Sequence, residues 1–131
     1  MPNGASVKFH LSNIPGQNIF TAHGEGYVQV NERRYEQPII VMANQVISDW
    51  PAHSFASLTE ASFSYFLSFK PEVVLLGTGN THLFANPQLY RALSNAHIGV
   101  EFMSTPAACR TYNILMGEDR KVVAGDRKSV V

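Results

Sequence analysis

The chain of 131 residues holds one cysteine, Cys109. A lone cysteine cannot close an internal disulfide, and small secreted domains normally carry several. The sequence therefore points to a reducing compartment, with the cytoplasm as the simplest assignment. Net charge is missing as well, since ten Lys and Arg balance ten Asp and Glu. No overall field gathers phosphates along a nucleic acid, and no basic stripe is interleaved with aromatics, so nucleic acid is not an expected partner. Long apolar runs are also lacking. The strongest, at residues 38–43 and 73–76, are far too short to cross a bilayer, which excludes insertion of a helix into a membrane. The opening MPNGASVKFHLSNIPGQNIF has neither the unbroken apolar stretch of a signal peptide nor the Arg-rich, acid-free pattern of a mitochondrial presequence.

What is present is apolar surface: 45% hydrophobic residues, with eight Phe and five Tyr, are enough for one continuous core. One domain over 1–131 is expected, with an ordered core from about 6 to 124 and a polar tail at 125–131. The first fifty residues alternate with period two around Tyr27-Val28-Gln29-Val30, turn at Asn31-Glu32-Arg33, run apolar from Pro38 to Ala43 and turn again at Asn44-Gln45, which reads as a β-meander. From about Leu58 the period becomes helical: Phe63, Phe66 and Leu67 share a face, and Lys70-Pro71 stops the helix. Val73-Val74-Leu75-Leu76 reads as a central strand covered on both faces. Asn86-Pro87 opens a second helix with Leu89, Leu93 and Ala96 inward, and residues 98–103 form a strand. Thr105-Pro106 caps a third helix carrying Ala108, Tyr112, Leu115 and Met116, and residues 119–124 form a last strand. This order predicts an α/β fold: a three-layer domain with a mixed, partly parallel central sheet flanked by helices, plus the N-terminal meander.

In such sheets ligands bind where loops leave the carboxyl ends of adjacent parallel strands. That rule nominates a crevice formed by Gly77, Thr78, Gly79, Asn80 and His82 on one loop, with Thr105, Arg110 and Asn113 at the start of the third helix. The two glycines could bring backbone N–H groups to a small anion, with the helix terminus and Arg110 adding positive charge; alternatively they make a tight exit from a buried strand. The loop matches neither the dinucleotide fingerprint nor the phosphate-cradling loop ending in Lys-Ser/Thr. His82 has no carboxylate or nucleophile partner in sequence. The remaining histidines show no metal-binding spacing, so neither a metal nor a cofactor is expected. Cys109, beside Ala108 on an apolar stripe, is expected to be buried. No Gly-x-Ser-x-Gly turn exposes a serine, and no catalytic residue is nominated. Asn113 sits in mid-helix and either binds an adjoining strand or faces the crevice; Trp50 either packs or serves as an anchor for a partner.

Four segments, Val-Val-Leu-Leu-Gly-Thr-Gly at 73–79, Gly-Val-Glu-Phe-Met-Ser-Thr at 99–105, Thr-Tyr-Asn-Ile-Leu at 111–115 and Asp-Arg-Lys-Val-Val-Ala at 119–124, together resemble domain-of-unknown-function family 498. That family includes a mitochondrial respiratory complex I assembly factor, an adipogenesis-associated protein and many single-domain bacterial and archaeal members, of which the bacterial ones are the most similar in kind. The resemblance implies a three-layer α/β domain and shared residues at Gly77, Thr78, Gly79, Thr105, Tyr112 and Asn113. For function it implies association with another protein during complex assembly rather than a reaction. The alternative is a small-molecule or anion-binding protein, or an enzyme, that uses the crevice.

Overall fold

The computed structural model describes residues 16–48, 50 and 55–126. Three short strands, β1 (Phe20–Gly24), β2 (Tyr27–Val30) and β3 (Arg33–Tyr35), form an antiparallel meander. Its turns use Gly26 and Asn31, both at positive φ, the conformation that Gly and Asn adopt at least cost. The hairpin of β4 (Ile39–Met42) and β5 (Gln45–Ile47), expected to continue the meander, instead joins the second sheet, whose order is β5-β4-β8-β6-β7. The reason lies in β4 itself: all four of its residues are buried, and a strand apolar on both sides needs a layer on each.

Helix α1 (Glu60–Ser64) starts with a capping box, in which Thr59 and Ser62 each accept the other's backbone N–H. It tightens into a 3-10 segment, Tyr65–Phe69, and stops at Lys70, which turns left-handed before Pro71. β6 (Val73–Gly77) follows. The second helix, expected to be the clearest, is among the shortest. Asn86 caps a 3-10 turn, Pro87–Tyr90, ahead of the five-residue α2 (Arg91–Asn95). Leu93 is buried there, but Leu89 is half-buried and Ala96 exposed, so the inferred stripe closes on one residue. β7 (Gly99–Met103) leads to α3 (Thr105–Gly117) and β8 (Val122–Asp126). β6 is parallel to both β7 and β8, although the middle strand of the five is β8.

Strand alternation divides the core between the two faces of this sheet. Ile39, Val41, Leu75, Val122 and Ala124 meet Cys109, Tyr112 and Met116 of α3 and the meander's Phe20, Val28 and Val30. On the other face Ile40, Val74, Leu76 and Val123 meet Phe63, Phe66 and Leu93. Trp50 packs there too, edge-on to Phe66 at 5.5 Å, so its role is core packing. Of the expected polar tail, Gly125 and Asp126 belong to β8, while 127–131 lie outside the described residues. Gly125 is required by space, since a Cβ there would sit 3.0 Å from Phe66 and 3.2 Å from Trp50. Gly125→Val is accordingly expected to destabilise the fold by about 1–3 kcal/mol through overpacking, read as a lowered midpoint in denaturant titration.

Candidate functional site

The loop that leaves β6 meets the start of α3 through hydrogen bonds that leave it closed. Thr78 N–H continues the β6–β7 ladder to Met103 C=O at 2.9 Å. The buried Thr78 hydroxyl reaches the carbonyls of Thr81 and Met103 and accepts from Leu83 N–H. Gly79, at φ +83°, donates its N–H to Thr105 Oγ1 at 3.0 Å, and its C=O accepts Thr105 N–H at 2.8 Å. Thr105 Oγ1 in turn donates to Asp126 Oδ1 at 2.6 Å.

Thr105 was expected to cap α3, but Ser104 does so, its hydroxyl accepting Ala107 N–H. Thr105 is thereby the first helical residue, and its side chain is available to tie the loop to β8. Gly77 lies against the same group: a Cβ there would fall 2.5 Å from Asp126 Oδ1 and 3.2 Å from Thr105 Oγ1. Close packing against Asp126 and Thr105 accounts for Gly77, and a left-handed turn accounts for Gly79. Asp126 thus sets a carboxylate beside the helix start where an anion was envisaged, complementing the positive end of the α3 dipole.

Asn80, Gly79, Thr105, Pro106 and Asp126 border a cleft whose other wall is the meander, including Tyr27 and Tyr35. Its free volume of about 20 Å³ is room for about one water. The remaining nominated residues lie elsewhere. His82 is exposed, its ring 4.5 Å from that of Phe84, which rests on Phe102. Arg110 and Asn113 line a separate, open groove of about 390 Å³ between α3 and β1. The crevice read from sequence as one site is therefore three places. The loop start and Thr105 come together, whereas His82 and the pair Arg110 and Asn113 do not join them.

Asn113 is buried and serves the fold. Its Oδ1 accepts Phe20 N–H at 2.9 Å and its Nδ2 donates to Phe20 C=O at 2.7 Å, as a neighbouring strand would. One turn of the same helix supplies Tyr112, whose hydroxyl donates to Asn18 C=O at 3.0 Å and whose ring stands edge-on to Phe20. Burial raises the phenol's pKa and holds it protonated as that donor. Asn18 also binds Met42 C=O and accepts from Asn31, which itself accepts Ile19 N–H. Cys109, 4% exposed, is pushed up to about 12 by burial, then by Asp126, against the lowering effect of Arg110; near neutral pH it is an unreactive thiol. Sequence reasoning missed Asp126, because residues 125–131 read as a polar tail, and missed Asn18 and Asn31, which gain their roles only when the meander folds onto α3.

Among the described residues no three His, Cys, Asp or Glu side chains converge to hold a metal ion, and no helix is long and apolar enough to cross a membrane. Fold and site together define a class: a three-layer α/β domain whose meander is clamped to its last helix and whose strand-end loop is bonded shut. The chain belongs to the family described as a protein of unknown function (DUF498/DUF598), which it matches over residues 20–125. It is 30% identical to a 13 kDa major membrane protein of Francisella tularensis over 79% of this chain and 85% of that one. It is 39% identical to the mouse NADH dehydrogenase [ubiquinone] 1 alpha subcomplex assembly factor 3, over 61% of this chain and 44% of the relative. The chain thus spans about half the length of the mammalian assembly factors it matches. A crystal structure from Bordetella parapertussis, 36% identical, superposes with a TM-score of 0.82 over 88% of this chain and 99% of that one.

Replacing Thr105 by Val removes the acceptor for Gly79 N–H and the donor to Asp126. The expected cost is about 1–3 kcal/mol, several degrees in thermal unfolding, with Thr105→Ser retaining most of the stability.

Proposed function

We propose that this chain is a non-enzymatic protein-interaction domain of the cytoplasm that helps assemble or stabilise a larger complex. One observation carries the reading: the polar groups at the strand ends, where a catalytic α/β domain aims its donors at substrate, are engaged with one another through Gly79, Thr105 and Asp126. The names of the mammalian relatives, which are assembly factors, support it from a second direction. A protein is the expected partner, because balanced charge favours neither nucleic acid nor an anionic bilayer.

The second reading, a small anionic ligand or substrate held between residues 77–82 and Arg110, draws less support. Asp126 stands at the helix start, the cleft is small, and Arg110 lies in another groove. Cross-linking in cells that express the tagged chain, followed by purification, is expected to return one reproducible partner complex. Recovery of the chain alone across several salt conditions would contradict the proposal.

A further inference from the structure

We propose that the groove between β1 and α3 receives an extended, acidic segment of a partner protein, which adds to β1 as a strand and sets a carboxylate against Arg110. This rests on the interaction reading above and gives it a surface. Among the described residues β1 is the outer strand of its sheet and pairs with β2 alone, and residues of its other edge border the groove. Asn113 demonstrates how that edge binds, taking both backbone groups of Phe20. Beyond Phe20 the strand runs on through Thr21, Ala22, His23 and Gly24, of which only Ala22 is half-buried. Soluble proteins usually blunt an exposed edge with lysine, proline or a covering element. This stretch holds neither lysine nor proline, and its one irregularity is the register shift between Phe20 and Ala22, ahead of His23 and Gly24.

The groove's volume of about 390 Å³ is bounded by Phe20, Ala22 and Cys109, which offer apolar surface and a thiol, and by Arg110 at the rim. Arg110 is exposed and enters no salt bridge among the described residues. An open strand edge, an apolar wall and one uncommitted guanidinium match the chemistry of strand addition by a segment carrying Asp or Glu. Main-chain hydrogen bonds supply affinity, and alternate side chains supply specificity.

The test is selection from a displayed library of random peptides, roughly twelve residues long to exceed the strand they would pair with, on the wild-type chain and on Arg110→Glu. Because Arg110 is exposed, its replacement is expected to leave the circular dichroism spectrum unchanged. Wild type is expected to enrich alternating, β-forming peptides with an acidic residue, whose binding shifts the amide resonances of residues 21–24. Arg110→Glu is expected to weaken those peptides roughly tenfold and to enrich basic ones instead. The proposal is overturned by no enrichment, by the same peptides on both baits, or by resonance shifts confined to the loop at 77–80. In those cases the interaction reading stands or falls separately on the cross-linking result.

Discussion

The two hydrogen bonds between the Asn113 amide and the backbone of Phe20 fasten the meander to the last helix, and through it to the central sheet. The meander's apolar residues, Phe20, Val28, Val30 and Tyr35, are buried in the core shared with α3 and the central sheet, so the meander is held against that larger body. At Phe20 the neighbour is a helix, whose backbone groups are taken up within it, so a side-chain amide makes the two bonds. A side-chain amide carries N–H donors and a carbonyl acceptor in one plane, and can therefore present the donor–acceptor pair that a neighbouring strand presents. With Tyr112 on Asn18 and Asn18 on Met42, the clamp extends from α3 through the chain ahead of β1 to the central sheet. Phe20, Val28 and Val30 then complete the core over Val41, Leu75 and Ala124.

A similar economy governs the strand-end loop. Gly77 makes room for Asp126, Thr105 bridges Gly79 to that carboxylate, and Ser104 takes over the capping of α3 so that Thr105 is spared for the purpose. Residues that look like a ligand cradle in one dimension are the fastening of three elements in space. The same helix sets Arg110, exposed, beside the groove that β1 borders.

The layer order was legible because apolar runs and helix starts have local causes: the buried run of β6, the proline after Lys70 and the proline at the start of α3 all acted as their chemistry predicts. Three readings failed for non-local reasons. β4 left the meander because both of its faces are buried: Ile39 and Val41 face α3 and the meander, and Ile40 and Met42 face Trp50, Phe63 and Phe66. The second helix is split into a 3-10 turn and a short α2, with Leu93 buried, Leu89 packed at the edge of the core and Ala96 exposed. Gly125 looked like punctuation, and it is a strand residue kept small by Trp50 and Phe66, which come from far away in sequence. The residues nominated for one crevice fall in separate places. Helical periodicity places Arg110 and Asn113 one turn apart from each other, but it cannot say that they turn toward β1 and away from the loop at 77–80.

The claim most exposed to experiment is that Asn113 substitutes for a strand at Phe20. Amide hydrogen exchange measured residue by residue reads this directly, because protection at one N–H reports its own bond. The structure requires Phe20 to exchange as slowly as the interior amides of β2, and Asn113→Ala to abolish that protection throughout β1 to β3 while β6 and β8 remain protected. Rapid exchange of Phe20 in the unaltered protein, at the rate of an exposed loop, would contradict the clamp and the architecture built upon it.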